Sequence, residues 1–297
     1  MKRFLMGPIS FGSTNPVILW QVDNVRLNPG IERLVQGAQT VDVAFAGAIK
    51  QAPMLSFDTP AISRIAAAID LYGTTFDQVN IYFRQLQHGG SVQSGSKHTK
   101  LTLYSTLGLI RRISASQFSE ATASVEIHAS YDGTNLPLAI TANQSLPAYS
   151  AASIEKFTVG PGELNGTGID NIQSLDLDTG ITLESNGQDG GEYVRFLAVR
   201  EARPSVTATT FNVDELSTVG VGGGSFDNAI FFLRALTNTG APAADTTAGH
   251  VKLTATESHV TISDLGDTTT ISVQPVWDGT NDSVLIETAK AIDESAP

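Results

Sequence analysis

Thr75-Phe76-Asp77-Gln78-Val79-Asn80-Ile81-Tyr82-Phe83-Arg84-Gln85-Leu86 returns later in the chain as Ser225-Phe226-Asp227-Asn228-Ala229-Ile230-Phe231-Phe232-Leu233-Arg234-Ala235-Leu236, a shift of 150 residues. His98-Thr99-Lys100-Leu101-Thr102 matches His250-Val251-Lys252-Leu253-Thr254, and Asp132-Gly133-Thr134-Asn135 matches Asp278-Gly279-Thr280-Asn281 letter for letter. Upstream, Asp23-Asn24 and Gly30-Ile31 correspond to Asp170-Asn171 and Gly180-Ile181. The order is kept, with small insertions between matches. A period of this size exceeds the roughly 20 to 50 residues of solenoid and propeller units and equals a whole domain. The pattern predicts two tandem domains of one fold, residues 14–150 and 151–297, behind an N-terminal arm at 1–13 and ending in a short acidic tail.

Within each copy, short runs rich in β-branched and aromatic residues are broken by Gly, Pro and Asn turns, which predicts strands. In the first copy they fall at Val17 to Leu27, Thr40 to Ile49, Met54 to Phe57, Val79 to Leu86, Lys100 to Ser105, Ala123 to Tyr131 and Leu138 to Thr141. The run Ser124 to Tyr131 alternates, with Val125, Ile127, Ala129 and Tyr131 on one face. One helix is expected after Asp58-Thr59-Pro60, capped by a side-chain oxygen, with Ile62, Ile65, Ala66 and Ile69 as its apolar stripe. A shorter equivalent is expected at Asn212 to Val219. The polar loops Gln87 to Ser96 and Asn238 to Thr247 sit between the same two strands of each copy. The fold class is therefore mainly β, with one short helix per domain.

The net charge of −12 is uneven: residues 1–13 carry +2, residues 14–150 are neutral, and residues 151–297 carry −14. An acidic surface keeps a protein dispersed and lacks the basic footprint of a nucleic-acid reader. With 41% hydrophobic residues, no apolar run approaches the roughly 18 residues of a spanning helix. The opening Met1-Lys2-Arg3-Phe4-Leu5-Met6-Gly7-Pro8 has too short an apolar stretch for a signal peptide. The absence of cysteine excludes disulfides, thiolate metal sites and a cysteine nucleophile.

Residues able to do chemistry are few. Gly160 to Gly168 and Gly220 to Gly224 are glycine-rich without the lysine or the strand-turn-helix setting of a phosphate loop. Asp176-Leu177-Asp178-Thr179-Gly180 reads as a turn, because the further ligands of a calcium loop are missing. His88, His98, His128, His250 and His259 form no metal-binding spacing. His98 and His250, Arg84 and Arg234, and Asp77 and Asp227 recur at equivalent places, which favours shared structural contacts over a unique site. Neither a catalytic residue nor a metal or cofactor site is expected.

These apolar strands, the run Met54-Leu55-Ser56-Phe57-Asp58-Thr59 leading into the helix, the acidic cysteine-free composition and the duplication resemble the tail tube proteins of long-tailed bacteriophages, in the variety with two fused tube domains. The resemblance covers nearly the whole chain through loose motifs. It implies a β-sandwich flanked by one helix, with sheets of neighbouring domains joining into a barrel around a lumen for DNA. Two domains per chain imply trimeric rings of six pseudo-equivalent units, stacking in a virion tail assembled in the host cytoplasm beside other tail proteins. A two-domain capsid protein, or a two-domain adhesin or carbohydrate-binding module, is the alternative. Part of the acidic excess of residues 151–297 is expected to face the channel. Met1 to Asn15 and the two polar loops are expected to reach adjacent rings.

Overall fold

The computed structural model describes all residues except 1–2, 38–42, 150–153, 188–190, 212–218, 220–222, 266–267, 278, 281 and 293–297. The chain is mainly β. Its first half contains strands β1 (Arg3–Phe11), β2 (Val17–Leu19), β3 (Asp23–Asn28), β4 (Ile31–Gly37), β5 (Val43–Gln51) and β6 (Met54–Thr59), then helix α1 (Ile62–Ala68). Strands β7 (Thr74–Leu86), β8 (His98–Ser116), β9 (Thr122–Ala129) and β10 (Leu138–Gln144) complete it. The second half contains β11 (Phe157–Leu164), β12 (Thr167–Ile169), β13 (Ile172–Asp178), β14 (Thr182–Asn186), β15 (Phe196–Glu201) and β16 (Ser205–Thr210). It ends with β17 (Gly224–Phe226), β18 (Ala229–Ala235), β19 (His250–Ala255), β20 (Glu257–Leu265), β21 (Thr269–Val276) and β22 (Val284–Lys290). The helix expected at Asn212 to Val219 lies almost wholly outside the described residues.

The two halves use the same pairings. One layer runs β2-β1-β7-β8-β10 in the first half and β12-β11-β18-β19-β22 in the second. The other runs β3-β6-β9-β8 and β13-β16-β21-β20, while β4·β5 and β14·β15 form separate hairpins. Registers also recur: Thr141 and Gln144 face Lys100 and His98, as Glu287 and Lys290 face Lys252 and His250. Left-handed backbone recurs in the same places, at Asn24 and Asn171 and at Asn143 and Ala289. At Gly30 and Gly180, φ is 58° and 56°, each N–H is accepted by the side chain two residues back, and a Cβ would collide with the carbonyl of Ala52 or Arg203. Only glycine fits such a corner.

Residues 3–11, expected as part of a free arm, are strand β1. It lies between β2 and β7 and buries Ile9, Ser10 and Phe11. Its register slips between Met6 and Ile9 at Gly7-Pro8, and that of β11 slips between Val159 and Gly162 at Gly160-Pro161. Proline cannot donate to a ladder and is tolerated at a bulge, where glycine lets the neighbouring strand approach. A Cβ on Gly7 would lie 2.6 Å from the Tyr82 carbonyl, and one on Gly160 would lie 2.8 Å from that of Phe232.

Strand β8 belongs to both layers. Ser105, at φ 46°, bends it, and the Ser130 hydroxyl and N–H both donate to the Ser105 carbonyl at 2.8 and 3.1 Å. Before the bend β8 pairs with β7 and β10; beyond it, with β9 on one side and with the start of β7 and then β13 on the other. The second half makes the same turn by breaking the strand at Thr256, between β19 and β20. Because β8 pairs with β13, the second layers of the two halves fuse into one run, β3-β6-β9-β8-β13-β16-β21-β20. The buried apolar cluster likewise extends through both halves, from Ile9 to Val284.

Helix α1 buries Ile62, Ile65 and the following Ile69, as the stripe predicts. Its cap meets the expectation in part. Asp58 and Thr59 finish β6, and Thr59 Oγ1 accepts the N–H of Ala61 at 3.1 Å, while the N-cap residue Ala61 itself offers no side-chain bond. Glu155, 92 residues from Ser63, accepts the N–H groups of Ser63 and Arg64 at 3.0 and 3.3 Å. Burial pushes the Glu155 carboxyl above its usual value, against the lowering influence of those N–H groups and of Arg64. The Gln21 side chain bonds both the N–H and the carbonyl of Glu155, holding the segment before β11 on the first half.

His98 and His250 are buried and play one role. Nδ1 of each accepts a backbone N–H of the facing strand, from Gln85 at 3.1 Å and from Ala235 at 2.9 Å. Nε2 of His250 also bonds the Ala244 carbonyl at 3.2 Å. Leucine would orphan these groups at about 1–3 kcal/mol each. His250→Leu is therefore expected to lower the chemical denaturation midpoint more than His98→Leu, with both variants less stable than wild type.

Candidate assembly interface

Alternation decides what the fused sheet shows to its two sides. Leu55 and Phe57 of β6, Ala123, Val125, Ile127 and Ala129 of β9, Val206 and Ala208 of β16, and Ile271 and Val273 of β21 are buried. The opposite positions carry Ser56, Asp58, Ser124, Glu126 and His128, then Ser205, Thr207, Thr209, Thr270, Ser272 and Gln274. That face is hydroxyl-rich. Its charges on β8 and β9 are tied: Arg111 Nε meets Glu126 Oε2 at 2.7 Å, and His128 Nε2 lies 3.2 Å from the same oxygen. The His128 hydrogen bond, helped by Arg111 and opposed by burial, holds the Glu126 carboxyl below its usual value. Asp58 accepts Ser124 Oγ at 2.6 Å and Asn24 Nδ2 at 2.7 Å. In the second half β16 and β21 present hydroxyls and an amide, and the carboxylates Asp176 and Asp178 stand at the junction with β8.

At that junction Asp178, Leu177, Asp176, Leu175 and Ser174 of β13 face Arg112, Ile113, Ser114, Ala115 and Ser116 of β8. Arg112 reaches diagonally to Asp176 with Nε and Nη2, both at 2.5 Å. Thr179 then donates its hydroxyl to the Ile110 carbonyl at 2.9 Å, and the Arg111 guanidinium donates to the Ile181 carbonyl. Hairpin β14·β15 folds over the first half, with Ile181, Leu183, Leu197 and Val199 against Leu107 and Leu109. The segment before β15 seals its rim. Tyr193 meets Tyr131 with ring centroids 5.3 Å apart, the Arg195 guanidinium lies 4.9 Å above the Tyr131 ring, and the Tyr131 N–H donates to the Val194 carbonyl at 2.7 Å.

The far ends of the fused sheet hold the counterparts of these strands. Among the described residues β3 pairs only with β6, and β20 beyond Val260 has no strand partner on the side away from β21. β20 pairs with β21 as β8 pairs with β9, with the bulge at the same step, between Ile262 and Asp264 as between Ile110 and Arg112. His259 therefore stands where Leu107 stands, and Trp277 where Tyr131 stands. His259 is exposed, and Trp277 is 68% exposed beside Val276. Ile31, the counterpart of Ile181, is 45% exposed, whereas Ile181 is 6% exposed.

The recurring residues of the sequence divide by role. Arg84 Nε donates to the Met6 carbonyl at the β1 bulge, while Arg234 pairs with Asp245 at 2.8 Å. Asp77, expected as an interface or salt-bridge partner, is an exposed turn acceptor for the N–H of Ser13. A hydrogen bond from the Ser13 side chain contributes most to lowering its carboxyl below the usual value. Gly160 to Gly168 form the β11·β12 hairpin, and Asp178 closes a turn on Gly180. Residues 220–222 lie outside the described residues, and Gly224 opens β17. The loops at Gln87 and Thr237 fold alike: the N–H of Gln87 bonds the Ser91 carbonyl and that of Thr237 the Ala241 carbonyl. Among the described residues no three His, Asp or Glu side chains gather as a metal site. Arg112 escaped the sequence reading; Asp176, read there as part of a turn, lies in β13 and joins the junction, and Tyr131, read as a strand residue, is aligned with Trp277 by Asp132-Gly133-Thr134-Asn135.

Comparison with protein-family models gives no match, and comparison with curated proteins gives none either.

Proposed function

We propose that this chain is a structural subunit that closes on copies of itself, a tail tube protein of a long-tailed bacteriophage built from two fused, duplicated tube units. One observation carries the reading: the internal junction β8·β13 joins the same two kinds of strand edge that the chain leaves free at β20 and β3. A free edge is a template for pairing, and here each end fits the other end of the next copy. Such a heterologous contact either closes into a ring or grows as a fibre. Three chains give six units in a ring, with the fused sheets forming one continuous inner barrel.

The hydroxyl-rich face of the fused sheet then lines the lumen. Serine and threonine offer DNA no fixed charge, and Arg111 and Arg112 are neutralised by Glu126 and Asp176. Few phosphates are gripped, so passage costs little counterion exchange. The protein acts as a conduit and not as an enzyme, and its place is the virion tail. Native mass spectrometry and negative-stain microscopy test the reading. Three chains per ring and stacked tubes are expected; a monomer at every concentration, or a ring of six chains, overturns it.

A further inference from the structure

The internal junction is held by an arginine on the β8 edge and an aspartate on the β13 edge, and the free ends carry the opposite arrangement. β20 repeats the register of β8, bulge included, which places Asp264 at the position of Arg112: Asp264 faces Thr270 as Arg112 faces Ser124. β3 repeats the register of β13, with Arg26, Leu27 and Asn28 facing Ser56, Leu55 and Met54 as Asp176, Leu177 and Asp178 face Thr207, Val206 and Ser205. Arg26 thus holds the position of Asp176. It is exposed, and among the described residues no carboxylate is within ion-pairing distance of it.

We propose that Arg26 of one copy pairs with Asp264 of a second copy across a β3·β20 junction, and that this charge-swapped repeat of Arg112–Asp176 dictates which edge meets which. The inference rests on the self-assembly reading above and adds the register and the means of selection. In the register of β8·β13, Leu27 faces Leu265, Asn28 faces Asp264, and Arg26 lies diagonal to Asp264.

The wrong pairings are penalised. β3 laid on a β8-type edge sets Arg26 beside Arg112, and β13 laid on a β20-type edge sets Asp176 and Asp178 beside Asp264. Like charges at neighbouring cross-strand positions repel, and specificity comes as much from that repulsion as from the matched pair. At the outer junction Asn28 replaces Asp178, which removes a carboxylate that would face Asp264. A chain whose two junctions carry opposite polarity cannot lay β3 on a β8 edge, or β13 on a β20 edge, without bringing like charges together. The two kinds of junction therefore do not mix, and the free ends find each other.

The test uses the full chain, followed by analytical ultracentrifugation over a concentration series in low salt. Arg26→Asp and Asp264→Arg are each expected to raise the half-assembly concentration by about tenfold or more, and the double variant to return it close to wild type. Circular dichroism checks that each variant is folded. Because the chain lacks cysteine, Leu27→Cys combined with Leu265→Cys reports register directly, as a disulfide between chains on a non-reducing gel. A wild-type chain that stays monomeric overturns the assembly reading and this pair with it. A wild-type chain that assembles, with single reversals as competent as wild type or with no disulfide between the two introduced thiols, overturns the pair and its register alone.

Discussion

A chain lacking residues 1–12 is expected to lose cooperative folding of its first half, and not merely a flexible extension. β1 is an inner strand between β2 and β7, and the deletion removes its ladder on both sides. It also removes Ile9 and Phe11, which are 0% and 2% exposed. Burying two side chains of this size contributes about 3–6 kcal/mol, against a total stability of about 5–15 kcal/mol for a domain. The edges of β2 and β7 left bare add an aggregation hazard. Since the buried cluster runs through both halves, the loss should spread to the second half as a lower denaturation midpoint. Urea denaturation followed by tryptophan fluorescence and circular dichroism measures this. A truncated chain with an unchanged midpoint would return residues 1–12 to the role of an arm. Ile9→Ala, expected to cost about 2–5 kcal/mol, gives a milder version that still folds.

The strands around Phe76 and Phe226 and the histidines behind them were legible because they carry long matched stretches with strong apolar patterning. β1 was not. Its match to β11 lies in Gly7-Pro8 against Gly160-Pro161, two letters that read as a turn and act as a bulge inside a strand. The length of β8 was hidden for a similar reason. Gly108, Arg111 and Arg112 interrupt its apolar run, and the left-handed bend at Ser105 is a tertiary feature fixed by Ser130. The helix was visible in its stripe and in Thr59 before it, but the acceptor for its first-turn N–H groups is Glu155, which no local pattern could supply. The junction was harder still. Arg112 and Asp176 are 64 residues apart, and their relation to Arg26 and Asp264 emerges only once strand registers align the two halves.

Trp277 is expected to be the residue whose burial reports assembly, and its loss should be among the most damaging to it. Its counterpart Tyr131 is covered within the chain by Tyr193 and Arg195, next to Leu107 and Leu109 under hairpin β14·β15. The corresponding hairpin of the first half, β4·β5, meets the segment before β15 at its base, where the Gln51 N–H donates to the Glu192 carbonyl at 2.6 Å, and its first residue Ile31 is exposed where Ile181 is buried. A β3·β20 junction between two copies brings β4·β5, which follows β3 directly, over Val276 and Trp277 of the neighbour. A tryptophan at the centre of such a contact typically carries about 2 kcal/mol or more of binding, about a thirtyfold change in affinity. Trp20 is the other tryptophan and stacks edge-on with Tyr149 at 5.2 Å. A Trp20→Phe chain leaves Trp277 as the sole reporter, and its emission should shift to the blue as concentration rises through assembly. Trp277→Ser should leave the fold intact and raise the half-assembly concentration by about that thirtyfold factor. An emission maximum that stays at the solvent-exposed value in assembled rings would place the hairpin elsewhere and detach Trp277 from the interface.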